Sequence, residues 1–397
     1  MRIAVRVGCA VLAGAVTTGV VAAAPASAGQ GPRGHRGVQA VLERAVAEGR
    51  LPGAVAEVRE ENGRRWFGAA GVADTGTGRD RHRGDRFRIG STTKTFVATV
   101  VLQLVAEHRL GLDDTVEQWL PGLLDGNGYD GRSVTVRQLL NNTSGVFNYV
   151  LDDQLRRAAS GTAFLEHRFD TYRPQELVRI AVRNGPAFAP GTDWGYSDTN
   201  YVIAGMIVEK ATGGSLGEEI ERRITRPLGL RGTYQPAAGD TAIHGPHGRE
   251  YSRLMATAPG ADAHDVTELD PSWAWATGDM VSTVEDLNTF FGALLAGRLL
   301  PAAQQREMFA TLPTRGQWIP DTTYGLGVAS ITLPCGPTVW GMGGAIPGSW
   351  SYTFGTRDGR HLLSTNVNGD WADGTWTMPN PIGVFTAELE AEFCPTD

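Results

Sequence analysis

The sequence contains very little lysine. Of its 36 lysine and arginine residues, only Lys94 and Lys210 are lysines. The chain uses arginine wherever positive charge alone is needed, and arginine does not lose its proton in proteins. A lysine retained at a partly buried position therefore indicates proton transfer, because a lysine amine can become neutral there and act as a base.

The chain also lacks a basic tract, and after its first residues it has no apolar run long enough to cross a membrane. The formal net charge of −7 at pH 7 argues against nucleic acid as a partner. A hydrophobic content of 41% and a charged content of 20% are typical of a globular protein. Because 397 residues exceed one ordinary core, we expect two lobes.

The N-terminal residues have the pattern of a secretory signal. Arg2 and Arg6 precede an apolar stretch at residues 7–24, and the small-residue site Ala26-Ser27-Ala28 follows. We therefore expect residues 1–28 to be removed and the mature protein to be secreted without membrane attachment. An uncleaved membrane anchor is the alternative.

Cysteine is scarce, with three residues in the chain. Cys9 lies in the signal segment, which leaves Cys335 and Cys394. In an oxidising compartment these two are predicted to form a disulfide. No ligand cluster accompanies them, so neither a metal nor another cofactor is expected.

The stretch that begins at Ser91 carries the strongest indication of chemistry. From Thr92 onward apolar residues recur at helical spacing, which predicts a largely buried helix. Lys94 follows Ser91 by three residues and therefore lies on the same face, within reach of its hydroxyl. In a Ser-x-x-Lys arrangement a lysine amine can activate a serine nucleophile. The alternative is a capping serine followed by an unrelated lysine.

Two further segments are candidates for the same site. Tyr196-Ser197-Asp198 supplies a tyrosine that can pass a proton between Ser91 and a leaving group if a nearby cation lowers its pKa. Alternatively, it is only a capping turn. Residues 340–348 form a glycine-rich strand edge whose backbone N–H can supply half of an oxyanion hole, the Ser91 N–H being the other half. A bulged strand that merely needs room is the alternative.

A second serine matches a different motif. Ser215 stands in Gly213-Gly-Ser-Leu-Gly217, the pattern of a nucleophile elbow, but the preceding residues are helical in pattern and the elbow needs a strand. With Glu218 three residues later, Ser215 is predicted to form a capping box instead. His244 and His247 are interpreted as exposed loop residues rather than metal ligands.

The order of the predicted elements indicates the fold. Strand patterns occur near both chain ends, and mostly helical patterns lie between them. We predict an α/β (α+β) fold in which residues 29–111 and 271–397 build one antiparallel sheet flanked by the terminal helices. An all-helical lobe of residues 112–270 is inserted, so Ser91 lies at the lobe junction, a common position for a cleft.

With Ser91-x-x-Lys94, Tyr196-Ser-Asp198 and the strand at residues 341–348 in this order, the chain resembles the penicillin-recognising serine hydrolases. Within them it is most similar to the class C β-lactamase-like branch, especially secreted D-alanyl-D-alanine carboxypeptidases. The resemblance implies a β-lactamase/transpeptidase-like fold and an acyl-serine mechanism. Ser91 would be the nucleophile, Lys94 and Tyr196 would move its proton, and the N–H groups of Ser91 and Ala345 would form the oxyanion hole.

The resemblance also implies which residues contact the substrate. They come from four segments of the chain: Phe147, Tyr149, Asp198, Trp273, Met342, Gly343 and Gly344.

Three positions depart from the carboxypeptidase pattern. Relatives carry an asparagine that donates to the substrate where Asp198, when ionised, can only accept and also favours a charged Lys94. Met342 replaces a polar residue. Ala329 stands where relatives use an arginine for the substrate carboxylate, and Arg315 is the nearest substitute. Losing that charge-assisted contact costs on the order of 2 kcal/mol.

The leading hypothesis is an exported serine hydrolase like a D-alanyl-D-alanine carboxypeptidase or penicillin-binding protein, cleaving D-peptide amide bonds. Its substrate would be a small peptide or ester, such as a peptidoglycan stem peptide or a β-lactam. An esterase, D-peptidase or acyl-transferring relative is the alternative enzyme. A non-catalytic peptidoglycan- or penicillin-binding module is the alternative from a different class.

Overall fold

A computed structural model describes residues 35–256, 260–371 and 380–394. The predicted signal segment at residues 1–28 lies outside the described residues. Within them, no helix combines the length and apolarity that crossing a membrane requires.

Fifteen strands occur in the described residues. In chain order they are β1 (Gly53–Arg59), β2 (Arg65–Asp74), β3 (Arg79–Asp80), β4 (Phe87–Arg88), β5 (Asp125–Gly126), β6 (Tyr129–Asp130), β7 (Tyr251–Ser252), β8 (His264–Asp265), β9 (Val281–Ser282), β10 (Leu312–Pro313), β11 (Thr322–Tyr324), β12 (Ala329–Thr332), β13 (Thr338–Ile346), β14 (Ser349–Gly355) and β15 (Leu362–Val367).

Nine of these strands form one antiparallel sheet in the order β10-β11-β12-β13-β14-β15-β1-β2-β3. The N-terminal strand β1 pairs with the C-terminal strand β15, with Ala54 opposite Val367. The sheet is therefore built from both chain ends, as predicted. The strand pairs β4–β9, β5–β6 and β7–β8 lie outside it.

Thirteen α-helices occur in the same residues. They are α1 (Arg36–Ala47), α2 (Thr93–Ala106), α3 (Val116–Trp119), α4 (Val136–Leu140), α5 (Asp153–Ala158), α6 (Gly161–His167), α7 (Pro174–Asn184), α8 (Asp198–Thr212), α9 (Leu216–Ile220), α10 (Arg226–Leu228), α11 (Val284–Leu295), α12 (Ala302–Met308) and α13 (Pro381–Phe393). Eight of them, α3 to α10, fall in the predicted insertion at residues 112–270. That segment also contains the short strand pairs β5–β6 and β7–β8.

Helices cover both faces of the large sheet. Neighbouring residues of a strand point to opposite faces. On β15, Ser364 donates to Asn288 of α11, whereas Thr365 contacts Glu388 of α13. Helix α1 packs against α13. The two terminal helices thus cover one face together, and α11 covers the other.

Helix α2 lies on the α11 side and is buried along almost its entire length. Phe96 stacks on Phe290 of α11 with ring centroids 3.7 Å apart. The buried helix predicted from the apolar spacing is confirmed. Its burial gives Lys94, in its first turn, a fully enclosed side chain.

The predicted disulfide is present. Cys335, in the turn between β12 and β13, is bonded to Cys394 at the end of α13, with their Cα atoms 5.8 Å apart. The bond ties the closing helix to the sheet near the strand that faces Ser91.

Candidate active site

Ser91 lies in a tight 3₁₀ turn that connects β4 to α2. The turn spans Gly90–Thr92, and Gly90 has a φ of +50°. A Cβ atom on Gly90 would lie 2.5 Å from the backbone N of Ala345 on β13. Only glycine permits both this backbone conformation and the close approach of the turn to the strand.

Gly344 on β13 makes the matching contact from the other side. A Cβ atom there would lie 1.9 Å from the carbonyl O of Ile89 and 2.6 Å from the backbone N of Ser91. The two backbone nitrogens proposed for the oxyanion hole, on Ser91 and Ala345, therefore belong to one contact between turn and strand. The two glycines make that contact possible.

The amine of Lys94 is surrounded by three hydrogen-bond acceptors. Its Nζ lies 3.0 Å from Ser91 Oγ, 2.6 Å from Asp198 Oδ1 and 2.8 Å from the carbonyl O of Thr277. A charged lysine has three N–H donors and no acceptor. The arrangement therefore matches a protonated amine with all three of its protons engaged.

Asp198 is held at the beginning of α8. Its backbone N–H donates to Asn148 Oδ1 at 3.1 Å, and the N-terminus of a helix favours a negative charge. Its side chain, 14% exposed, pairs with the fully buried Lys94. The aspartate that departs from the carboxypeptidase pattern is thus the counter-ion of Lys94.

Tyr196 is fixed by aromatic neighbours. Its ring stacks on Trp318 at 5.6 Å and meets the edge of Tyr324 at 6.3 Å. Lys94 Nζ lies 5.0 Å from the centroid of the same ring. Tyr196 is therefore held beside the Ser91–Lys94 pair, as the proposed proton transfer requires.

The direction of the Tyr196 pKa shift is opposite to the one that proton abstraction by tyrosinate would need. Burial, and then the negative charge of Asp198, raise the pKa of the Tyr196 hydroxyl well above its usual value, and a hydrogen bond with Ser91 opposes this only in part. The condition of a cation-lowered pKa, under which Tyr196 would act as a base, is therefore not met in this environment. Tyr196 stays a neutral phenol, which is a proton donor.

A cavity of about 690 Å³ opens beside Ser91 and Asp198. Thr277, Gly278 and Ala345 also line it. The rest of its wall is mostly apolar, formed by Val150, Leu151, Leu155, Phe164, Leu254, Met255, Trp273, Ile346 and Trp350 among others. The space is suited to a small substrate with an apolar side chain.

The aromatic residues predicted for the cleft differ in their positions. Trp273 lines the cavity. Tyr149 is fully buried behind it and donates its hydroxyl proton to the carbonyl O of Trp273 at 2.5 Å. Phe147 does not line the cavity; its carbonyl O accepts from the Thr199 hydroxyl. Tyr149 and Phe147 can therefore influence the cleft only through neighbouring residues.

The β13 residues that were predicted to contact the substrate lie behind the cavity wall. Met342 is fully buried, and a Cβ atom on Gly343 would lie 2.2 Å from the Tyr352 ring. Neither of them, nor Gly344, lines the cavity. The β13 residues that line the cavity are Ala345, which is exposed, and Ile346, which is buried.

The positions considered for a carboxylate-binding arginine do not provide one. Ala329 is buried on β12 opposite Gly341. Arg315 is largely exposed, pairs with Asp193 at 3.0 Å and does not line the cavity. Neither of these two positions supplies a cation to the cavity.

Sequence reasoning missed most of the cavity wall. The apolar residues come from loops and short helices near residues 150–168 and 252–255, where no periodic pattern marks them. It is the structure that marks them, since Leu151 and Met255 are large apolar residues that remain 54% and 70% exposed. Exposed apolar side chains clustered at a cavity indicate a binding surface.

The competing motif is structural. Ser215 Oγ accepts from the Glu218 N–H at 3.3 Å, and the Glu218 carboxylate accepts from the Ser215 N–H at 2.9 Å. The preceding element is helix α8, not a strand. The capping box is confirmed.

The exposed loop histidine His244 contacts Asp240. Across the described ranges, no group of three or more His, Cys, Asp or Glu side chains is arranged to hold a metal ion.

Comparison with curated proteins gives relatives of several activities. The chain is 36% identical to Esterase EstB of Burkholderia gladioli over 205 residues, which is 49% of this chain and 50% of that protein. It is 34% identical to Penicillin-binding protein 4* of Bacillus subtilis over 152 residues, covering 37% of this chain and 30% of the relative. The chain thus matches at most about half the length of these two relatives.

Solved structures match over nearly the whole chain. A D-stereospecific amidohydrolase from Streptomyces sp. is 46% identical, with 91% of this chain and 99% of that chain covered and a TM-score of 0.82. The D-amino acid amidase from Ochrobactrum anthropi SV3, complexed with L-phenylalanine amide, is 27% identical, with 90% and 97% covered and a TM-score of 0.75.

The family description Beta-lactamase matches residues 38–371, a range that contains Ser91, Lys94, Tyr196 and β13. The chain belongs to the β-lactamase family.

Proposed function

We propose that the protein is an exported amidohydrolase that cleaves small amides of apolar D-amino acids through an acyl intermediate on Ser91. The observation that carries this proposal is the 3.0 Å contact between Lys94 Nζ and Ser91 Oγ beside the 690 Å³ apolar cavity. Similarity to the D-stereospecific amidohydrolase over almost its full length supports the substrate class. The Cys335–Cys394 disulfide and the N-terminal signal pattern support export.

The first chemical step forms a bond between Ser91 Oγ and the substrate carbonyl carbon. The hydroxyl proton passes to Lys94, which must have a free lone pair. Because the structure engages all three Lys94 protons, the reactive form of the enzyme is the one in which Lys94 has given up one of them to solvent while Asp198 stays ionised. The backbone N–H groups of Ser91 and Ala345 stabilise the negative charge that develops on the carbonyl oxygen.

The second step breaks the carbon–nitrogen bond. The leaving nitrogen takes a proton from Tyr196, which is a neutral phenol because of its raised pKa. Lys94 then returns a proton to Tyr196. Water attacks the acyl ester and gives a proton to the neutral Lys94, which passes it to Ser91 Oγ as the product acid leaves.

The carboxypeptidase specificity has less support than the D-amidase specificity. A free C-terminal carboxylate needs a cation, and neither Ala329 nor the Asp193-paired Arg315 supplies one. Arg156 and Arg168 do line the cavity, but they belong to α5 and to the residue after α6, not to the position where carboxypeptidase relatives carry their arginine. Amide and ester substrates without that carboxylate place no such demand on the site.

The test compares D-phenylalanine amide, its L enantiomer, and an N-acylated D-Ala-D-Ala peptide. We expect hydrolysis of the D-amide to exceed that of the other two by about tenfold or more in kcat/KM. Faster release of D-alanine from the peptide would instead support the carboxypeptidase.

Intact-mass analysis with a p-nitrophenyl ester tests the nucleophile. We expect one acyl adduct on the wild-type protein and on the matched control Ser215→Ala, and none on Ser91→Ala. An adduct that persists in Ser91→Ala would contradict the mechanism. Absence of both adduct and turnover in the wild type would favour a non-catalytic binding module.

A further inference from the structure

We propose that Asp198 binds the free α-ammonium group of the substrate, so that the enzyme acts on D-residues with an unblocked amino group and discriminates against N-acylated ones. This inference rests on the proposed function, because it names the substrate class of the same site. It concerns the part of the substrate next to the carbonyl carbon that Ser91 attacks.

The Asp198 carboxylate has hydrogen-bonding capacity that its protein contacts do not use. An ionised carboxylate only accepts, and its two oxygens offer about four acceptor positions. Oδ1 receives the Lys94 proton, whereas Oδ2 accepts no hydrogen bond from residues 35–256, 260–371 and 380–394. The side chain lines the cavity together with Ser91. A substrate cation therefore has an acceptor available at this point.

Asp198 lies close enough to Ser91 to contact the α-nitrogen of a substrate whose carbonyl carbon is at Ser91. Ser91 Oγ and Asp198 Oδ1 both contact Lys94 Nζ, at 3.0 and 2.6 Å, so they lie less than about 6 Å apart. In an amino acid amide, the α-nitrogen is about 2.5 Å from the carbonyl carbon. With that carbon about 3 Å from Ser91 Oγ, these distances allow the ammonium to reach hydrogen-bonding distance of the carboxylate.

The Asp198 carboxylate would also repel an N-acylated substrate. An N-acyl group replaces the charged nitrogen by a neutral amide and adds a carbonyl oxygen, which is an acceptor like the carboxylate. Two acceptors that face each other without a proton are unfavourable in a desolvated site. Asp198 thus selects in both directions, by attraction of the cation and by rejection of the acylated form.

Other charged groups line the same cavity and must be separated from Asp198. Arg156 and Arg168 would repel an ammonium, and the His167 imidazole contacts Asp170 at 2.8 Å. Asp370 is the second carboxylate, but it accepts backbone N–H groups from Gly348 and Arg253 at 2.9 and 3.0 Å. Asp370 therefore has a structural role, and Asp370→Asn is the matched control.

The experiment measures kcat/KM for D-phenylalanine p-nitroanilide and for its N-acetyl derivative. Asp198→Asn also changes the environment of Lys94, but that effect acts on both substrates, and the ratio of the two values cancels it. We expect the wild type to prefer the free amine and Asp198→Asn to reduce the ratio by about tenfold or more. Asp370→Asn should leave the ratio within about twofold.

A second measurement needs only the wild-type protein. An α-amino group has a pKa of about 8. The value of kcat/KM for the free amine should therefore fall as the pH rises through about 8, whereas that for the N-acetyl substrate should not fall there.

The outcomes separate the two proposals. An acyl-Ser91 adduct with an unchanged substrate ratio in Asp198→Asn, or a wild type that prefers the N-acetyl substrate, overturns the ammonium inference alone. Absence of adduct and turnover with both substrates overturns the proposed function and this inference with it.

Discussion

Ser91 and Ser215 both stand in short motifs of serine nucleophiles, and both precede a helix, but their surroundings differ. Ser91 contacts the buried amine of Lys94 and lies against a strand of the large sheet. Ser215 exchanges hydrogen bonds with Glu218, three residues further along the same exposed turn. The partners of Ser91 come from distant parts of the chain, and those of Ser215 are local.

This difference shows what distinguishes a catalytic serine from a capping serine. A cap satisfies the backbone of its own helix and needs nothing else. A nucleophile needs a base, a donor pair for the oxyanion and an open space, which several elements must supply together. If these distant partners, rather than the serine motif, determine the activity, substitutions that disturb them should reduce it most.

The largest expected effect is that of Lys94→Arg. Arginine keeps the positive charge but cannot give up a proton, so kcat should fall by about 10² to 10⁴. Steady-state kinetics measure the change, and circular dichroism verifies folding. The matched control is Lys210→Arg, an exposed position near the end of α8, which should retain full activity. Activity of Lys94→Arg near that of the wild type would contradict the role of Lys94 as a base.

Gly344→Ala tests the contact between the Ser91 turn and β13. The added Cβ would meet the Ile89 carbonyl at 1.9 Å, so turn and strand must separate. We expect kcat/KM to fall by about 10²-fold, and the free energy of unfolding to fall by about 1 to 3 kcal/mol. Gly84→Ala is the control, because nothing lies within 4 Å of its added Cβ. Equal activity of both variants would remove this contact from the mechanism.

Glu250 supports the strand that leads into Ser91, and it makes stability depend on pH. Its carboxylate accepts from the Arg88 N–H at 3.0 Å. Burial raises the pKa of Glu250 from 4.5 to about 7, against the smaller opposing effect of Arg88. Because the folded state binds the proton more tightly, this group's contribution is greatest below pH 4.5 and is lost as the pH rises to about 7.

Glu250→Gln should therefore remove this part of the pH dependence. Thermal unfolding of both proteins between pH 4.5 and 8 measures it, and the difference in midpoint between variant and wild type should shift in favour of the variant as the pH rises. A difference that stays constant with pH would show that Glu250 does not titrate in this range.

Ser215→Ala gives the smallest effect. Loss of the N-cap should lower the free energy of unfolding by about 1 kcal/mol and leave kcat/KM unchanged. Denaturant unfolding and the D-amide assay measure the two quantities. A large loss of activity would mean that the second motif, and not only the first, takes part in catalysis.

The sequence predicted the reactive residues of the site better than the residues that line the cavity. Ser91 and Lys94 could be paired because a helix places residues i and i+3 on one face. The sheet could be assigned to both chain ends because strand patterns stand there. The Thr277 carbonyl and the cavity residues Leu151 and Met255 could not be found, since loops that meet in space carry no common period.

The protonation of the site was predicted only in part. Asp198 was expected to favour a charged Lys94, and the structure pairs the two side chains. The direction of the Tyr196 pKa shift could not be predicted, because it depends mainly on burial, which no motif encodes. The sign of the effect that a neighbouring charge has on a pKa can be read from residue types, whereas the effect of burial depends on the folded structure.

The pairing of β1 with β15 has a consequence for how the chain acquires its structure. Ala54 and Val367 are neighbours in the sheet but roughly 300 residues apart in sequence, a separation that slows folding. During synthesis the first strands emerge long before their partner exists. The sheet is completed only when nearly the whole polypeptide is available, so the chain remains without its finished core until late in synthesis.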